Sequence, residues 1–281
     1  MAIVYFDGEF ITDEDRAIPV SDRGFLFGDG VFTTVRVCQG NVEFFNAHVR
    51  RLEDNCQELG IKFPDIVFDD VAALIAHNHA EEGLWRLKII ITGGQVSQRY
   101  NEERPHGHLV MMIEPYCQPQ GPASLGTCAF PIVSPLAHIK SLSYLDRFWI
   151  KRRAEYIGVD DLIVIMPGGI VLETAFSNIF WIHEDEFLMP AMTLPLLPGI
   201  ALTTALGAAE SLEMNVKEIE WRVKDIPKNA NVFICNALTG IRPVCSIDGC
   251  SFSLDHPLSN ALSREYQQLA HHSTLCSKKV K

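Results

Sequence analysis

PYCQPQGPAS, Pro115–Ser124, is the stretch on which the fold turns. It packs three prolines and one glycine into ten residues and has neither an alternating nor a helical apolar period, so it reads as a linker. On each side, strands and helices follow one another in an order that is neither strictly strand–helix–strand nor all strand. That order argues for an α+β chain of two mixed domains: a smaller one over 1–115 and a larger one over 125–281, joined by 116–124.

Toward the N-terminus, VYFDGEFI (Val4–Ile11) reads as strand, Asp-Gly turn and strand. SDRGFLFGDG (Ser21–Gly30) is a loop with three glycines, and VFTTVRV (Val31–Val37) is a strand rich in β-branched residues. NAHVRRLEDNCQELG (Asn46–Gly60) predicts an amphipathic helix capped by Asn46 and ended by Gly60, burying Val49, Leu52, Cys56 and Leu59. A second helix is expected over about 66–82, then strands at WRLKIIIT and HLVMMIEP. In WRLKIIIT, Lys88 alternates with apolar neighbours and is expected to face solvent.

Toward the C-terminus, TCAFPIVS (Thr127–Ser134) reads as a strand and LSYLDRFWIKRRAEYIG (Leu142–Gly158) as a helix closed by its glycine. DLIVIM, GIVLE and SNIFWIH are expected to form an antiparallel meander. GIALTTALGAAESL is a helix entered through Pro198-Gly199, VKEIEW and NVFICNAL are strands, and RPVCSIDGCSF is a second Asp-Gly hairpin. A closing helix over about 256–270 leaves a frayed end.

The 281 residues are 47% hydrophobic and 21% charged, which is globular composition and too apolar for disorder. A net charge of −11 would repel a polyanion, so nucleic acid is a poor partner. No run approaches the roughly 18 consecutive apolar residues of a membrane span, and MAIVYFDGEF lacks the basic start of a signal peptide. The 8 cysteines include no CxxC pair, so free thiols in a reducing cytoplasm are expected. His77/His79, His106/His108 and His271/His272 lack metal-ligand spacing, and no metal is expected. GxSxG, GxGxxG after a strand and the phosphate-loop GxxxxGK[ST] are all missing.

Four residues remain that carry chemistry. Lys140, in PLAHIKSLSYL between an apolar strand end and a helix entry, is either a partly desolvated amine or a lysine snorkelling outward. Glu173 ends the apolar strand GIVLE and needs a partner, whether an ion pair or a ligand. Gly199 opens a helix whose first amides suit a phosphate, as many helix starts do. Arg51 lies at the edge of its helix's apolar stripe beside His48, where an arginine is ordinarily solvated. Taken together, a lysine able to form an imine, a carboxylate for a protonated pyridine nitrogen, and a helix start with an arginine for a phosphate meet the needs of pyridoxal 5′-phosphate (PLP).

DRGFLFGDGVFTTVRV, HVRRLEDN, IKSLSYLDR, LETAFSNIF, LPGIALT and NALTGIRPV resemble, in order, the motifs of the fold-type IV PLP enzymes. This family groups branched-chain aminotransferase, D-amino acid aminotransferase and aminodeoxychorismate lyase, and the resemblance covers about 1–255. It implies the D-amino acid aminotransferase-like architecture of two mixed α+β domains, the first over the substrate and the second carrying the cofactor, in a homodimer. By resemblance Lys140 is the Schiff-base lysine and general acid/base, Glu173 pairs with the pyridine nitrogen and Arg51 binds the phosphate. Ile200 and Ala201 are implied to be the helix-start amides on the phosphate and Ala237 with Leu238 the loop on its other side, although Ala201 replaces a common threonine and Ala237 a common hydroxyl. Asn178 and Tyr144 are implied as cofactor contacts, Tyr144 at the phenolic oxygen.

Within the family, Phe32-Thr33-Thr34 and Asn236-Ala237-Leu238 resemble the lyase pattern more than the aminotransferase one. The resemblance thus implies elimination of pyruvate from 4-amino-4-deoxychorismate, with an aminotransferase acting on D-amino or branched-chain acids as the alternative. Phe32 and Arg99 are then the implied substrate contacts, and Thr33 or Lys140 the acid at the leaving oxygen. Arg99, in Ser97-Gln98-Arg99-Tyr100, equally resembles the carboxylate-binding arginine of D-amino acid aminotransferase.

Overall fold

The first hairpin closes as its Asp-Gly pair requires: β1 (Ile3–Phe6) and β2 (Glu9–Thr12) pair antiparallel around Asp7 and Gly8, both at positive φ. A computed structural model describes residues 2–15, 18–95 and 106–277. It is an α+β fold of two compact units, Met1–Cys117 with Ile139–Tyr144 and His271–Lys281, and Gln118–His138 with Leu145–Ala270.

In the first unit, Asp22 caps a short helix α1 (Arg23–Phe27) by accepting from the amides of Gly24 and Phe25, inside the segment expected to be loop. Next come β3 (Gly30–Cys38), β4 (Asn41–Val42), α2 (Phe45–Leu59), α3 (Phe68–His77), β5 (Leu84–Thr92) and β6 (Leu109–Pro115). The six strands form one antiparallel sheet in the order β2-β1-β6-β5-β3-β4. Val31, Val35 and Val37 of β3 and Leu87, Ile89 and Ile91 of β5 share a buried cluster with Phe45, Leu52 and Cys56 of α2 and Val71, Leu74 and Ile75 of α3. Side chains alternate faces along a strand, so Thr33 points to the helices while Phe32 and Lys88 take the opposite face.

Helix α2 starts earlier than expected: Phe44, not Asn46, is its cap residue, and Ser273 Oγ accepts the Phe44 amide. Gly60 ends it at φ 64, as read from the sequence. Helix α3 is shorter than 66–82, because Asn78 turns its amide back onto the Leu74 carbonyl and His79 follows in the left-handed region.

The second unit adds β7 (Ala123–Thr127), α4 (Leu145–Ile157), β8 (Asp161–Ile165), β9 (Val171–Thr174), β10 (Asn178–His183), β11 (Glu186–Pro190), α5 (Ile200–Ser211), β12 (Asn215–Ile219), β13 (Asn231–Asn236), β14 (Gly240–Ile247), β15 (Cys250–Ser251) and α6 (Pro257–Ser277) up to Ala270, the residues from His271 belonging to the first unit. The sheet path is β12-β11-β10-β13-β14-β7-β8-β9, with β15 on β14. The strand expected at 127–134 lies instead at Ala123–Thr127, its first residues inside the expected linker; Pro131 cannot donate to a ladder. The expected meander is broken: β8 pairs with β9, but β10 pairs with β11 and β13. Strand β11 went unread, and α6 continues through Ser277, beyond the expected 270. Among the described residues no helix is long and apolar enough to cross a membrane.

Candidate active site

In the first unit the segment 139–144 is laced to β3. Phe32 donates its amide to the Lys140 carbonyl (2.9 Å), Leu142 donates to the Gly30 carbonyl (2.9 Å), and Lys140 donates to Asn55 Oδ1 on α2 (3.0 Å). This close approach needs Gly30, where a Cβ would stand 2.6 Å from both the Ile91 carbonyl oxygen and Leu142 Cδ1. Three backbone anchors therefore fix the base of the Lys140 side chain. Its Nζ donates to Tyr144 Oη (3.1 Å) and stands 4.7 Å from the Phe32 ring centroid and 4.8 Å from that of Tyr144. The two rings meet edge to face at 5.0 Å.

Lys88 occupies the same face of the sheet. Its Nζ lies 5.0 Å from the Phe32 centroid, and burial, then neighbouring Arg86, pulls its pKa below the ordinary lysine value against the pull of Glu114. The strand alternation that suggested solvent is real, but the face it selects is the one Phe32 covers. Among the described residues no carboxylate stands within ion-pair distance of Lys88.

On the other face of β3 the Thr33 hydroxyl, fully buried, is shared with two residues of α2. It accepts from Arg51 Nη2 (2.8 Å) and lies 2.6 Å from His48 Nδ1. His48, one helical turn before Arg51, is held neutral, its pKa driven well below the ordinary histidine value by burial and then by Arg51 and Lys140. Burial also lowers the Arg51 pKa to about 10, partly offset by Tyr144. Two buried nitrogens, Arg51 Nε and His48 Nε2, have no hydrogen-bond partner among the described residues. A desolvated cation with an unspent donor is what a bound phosphate would satisfy. Neither His48 nor Lys88 was singled out as functional from sequence. The i, i+3 spacing of His48 and Arg51 on one helix face was the available signal for the first.

In the second unit Glu173 is the last residue but one of β9 and almost fully buried. Its Oε1 accepts from Arg147 Nη2 (2.6 Å), and its Oε2 from Asn178 Nδ2 and the Leu197 amide, both at 3.3 Å. The loop after it is held by Asp161, which accepts from the amides of Leu162, Ala175 and Phe176. Asn178 spends its second amide hydrogen on the Leu197 carbonyl (2.8 Å), so its two donors both fix what surrounds Glu173. The Asn178 Oδ1 lies 1.9 Å from where a Cβ on residue 199 would stand, so only glycine fits at the cap of α5. Among the described residues no side chain caps that helix, which leaves the first-turn amides at Ile200 and Ala201 suited to a ligand or solvent.

Ala201 and Cys235 belong to one buried cluster. Beyond Cys235 the turn carrying Ala237 and Leu238 is organised by Asn236, whose Oδ1 accepts from the amides of Leu238 (3.0 Å) and Thr239 (2.8 Å). Arg99 and its neighbours Ser97, Gln98 and Tyr100 lie outside the described residues. Among the described residues no group of three or more His, Cys, Asp or Glu is placed to hold a metal ion.

The first unit therefore carries the amine and an anion-seeking arginine of a PLP enzyme, and the second carries a buried acid and an uncapped helix start suited to the ring nitrogen and the phosphate. That chemistry defines a pyridoxal 5′-phosphate-dependent enzyme with the fold-type IV architecture. Residues 30–247 match the amino-transferase class IV family, and the chain belongs to that family.

Relatives with different activities are similar to it over most of its length. A crystal structure of a Legionella pneumophila protein provisionally assigned as a 4-amino-4-deoxychorismate lyase superposes with a TM-score of 0.83 at 30% identity, covering 92% of this chain and 97% of that one. A Methanocaldococcus jannaschii protein provisionally assigned as a branched-chain-amino-acid aminotransferase is 27% identical over 258 residues, 88% of each chain. The aminodeoxychorismate lyase of Vibrio harveyi is 25% identical over 258 residues, 88% of this chain and 93% of its own.

Proposed function

We propose that the protein is a PLP-dependent 4-amino-4-deoxychorismate lyase that eliminates pyruvate and releases 4-aminobenzoate. The observation that carries this reading is the Phe32 ring, with the Lys140 amine 4.7 Å from its centroid and the Lys88 amine 5.0 Å from it. A flat, carboxylate-bearing cyclohexadiene suits an apolar ring that has a base and a separate cation close by. When bound, PLP supplies the sink for the electron pair of the broken C4–H bond. Lys140 removes the C4 proton, the C3–O bond breaks, and the departing enolpyruvate takes up a proton to become pyruvate while the ring becomes aromatic. Lys140, carrying the proton it removed, is the proposed acid at the leaving oxygen. Thr33, shared between Arg51 and His48 on the opposite face of β3, is proposed to hold the phosphate-binding arginine in place. Lys88 is proposed to take a substrate carboxylate, a role read from sequence onto Arg99.

A second reading, an aminotransferase on D-amino or branched-chain acids, is favoured by the name of the matching family and by the M. jannaschii relative. Such substrates carry a carboxylate but no ring to lie on Phe32. Incubation with 4-amino-4-deoxychorismate should give 4-aminobenzoate and pyruvate in equal amounts with no keto acid added. Transamination of D-alanine or leucine with 2-oxoglutarate, without any 4-aminobenzoate, would refute the lyase reading.

The enzyme is further proposed to work as a homodimer in a reducing cytoplasm. Phe25, Leu26 and Phe27 are exposed in succession on α1, and the seven described cysteines are free thiols. Sedimentation equilibrium should give twice the chain mass, and Phe25→Ser with Phe27→Ser should halve it.

A further inference from the structure

We propose that Arg147 is a positioning residue that keeps Glu173 ionised and neutralised, and so sets how tightly a proton is held at the pyridine nitrogen of PLP. The inference rests on the reading of Glu173 as the ring-nitrogen partner. Glu173 is 4% exposed, and a carboxylate buried to that degree resists ionisation unless it is paired. Arg147, from the first turn of α4, grips it at two points. Nη2 donates to Oε1 at 2.6 Å while Nη1 donates to the carbonyl of the following residue, Thr174, at 3.2 Å. The Asn178 and Leu197 donors on Oε2 are neutral and longer, at 3.3 Å. Arg147 therefore supplies the one short, charge-assisted bond among these, and such bonds are about twice as strong as neutral ones.

A lone carboxylate is a strong base toward the proton of a pyridinium. One whose charge is already shared with a guanidinium is a weaker base, and the ring nitrogen facing it releases its proton more easily. Arg147 thus tempers the electron sink while locking the acid that faces it. Asp146 lies 3.9 Å from Arg147 Nε and is partly exposed, too loose a contact to take the guanidinium from Glu173.

The test compares the parent protein with Arg147→Met, Arg147→Lys, Glu173→Gln and the double variant Arg147→Met/Glu173→Gln. Melting of the cofactor-free proteins is the first readout. Arg147→Met should melt several degrees below the parent, with a gap that widens from pH 5 to pH 8. Without the guanidinium, Glu173 keeps only neutral donors and takes a proton in the fold more readily than in the unfolded chain, so stability falls as rising pH removes that proton. The pH dependence of the gap should vanish in the Glu173→Gln background.

Absorbance titration of the PLP-loaded proteins is the second readout. The midpoint of the transition linked to the ring nitrogen should move up by about one pH unit, a tenfold change in proton affinity, in Arg147→Met. It should move less in Arg147→Lys, which keeps the charge but cannot span both acceptors, and not at all when Glu173→Gln is already present. An unchanged midpoint in Arg147→Met with PLP still bound, or a shift that persists in the Glu173→Gln background, overturns the proposal. Should Arg147→Met fail to fold, an unshifted Arg147→Lys overturns it equally. Failure of the parent itself to bind PLP would instead refute the underlying reading of Glu173.

Discussion

The two polar groups of the molecule are balanced in opposite ways. In the first unit, Lys88, His48 and Arg51 all have their pKa values pulled down, each with burial as the leading cause, and Arg51 Nε and His48 Nε2 are left without partners among the described residues. In the second unit the buried charge of Glu173 is met at once by Arg147, with Asn178 and the Leu197 amide filling in behind. One group is short of negative charge and the other is neutral within itself. The difference teaches which group a ligand changes most. An anion entering the first relieves repulsion and satisfies open donors, whereas the second is already organised and acts by holding still.

The sharpest way to break this contrast is at Lys140. Lys140→Ala should lower turnover on the order of 10⁴-fold and abolish absorbance near 410–430 nm in the PLP-loaded protein; retention of either would move the chemistry elsewhere. Arg51→Met should weaken PLP binding roughly 10- to 100-fold by equilibrium dialysis, as expected for a charge-assisted bond worth about 1.5–3 kcal/mol. Equal affinity would mean that the open donor of Arg51 is not waiting for an anion. Thr33→Val, nearly the same shape, should cost about 1–3 kcal/mol in chemical denaturation because it strands His48 Nδ1 and Arg51 Nη2 in the interior.

The smallest effect is one of pH. His48 binds its proton less tightly in the fold than in the unfolded chain, so its contribution is intact above the unfolded value near 6.5 and is lost as acidification forces a proton onto the ring. Below pH 6.5 the cofactor-free protein should melt at falling temperature, and His48→Phe should flatten that slope. A parallel slope in the variant would assign the acid sensitivity to other groups.

Where local chemistry decided an element, the sequence was enough. Asp7-Gly8 made its hairpin, Gly60 ended α2 in the left-handed conformation, and the alternation around Lys88 in β5 put it on the face opposite Leu87 and Ile89. Where a partner distant in sequence decided it, reading failed. Phe44 replaced Asn46 as the cap of α2, its amide meeting Ser273 from the far end of the chain. Lys88 stands on the face opposite Leu87, as alternation requires, but alternation does not tell that the Phe32 ring shares that face. Arg147 stands among the charges of DRFWIKRR and differs from them only in the acid brought to it by β9. Lys140 and Glu173 stood out because each breaks its local pattern, an amine and an acid at apolar boundaries, whereas Arg51 gained its reading only in combination with them.

Two lysines rest against one phenylalanine ring, and only one is assigned the covalent role. Borohydride reduction of the PLP-loaded protein followed by peptide mass mapping tests that division most directly. Phosphopyridoxyl is expected on Lys140 with Lys88 unmodified; label on Lys88, or on neither lysine, would contradict it.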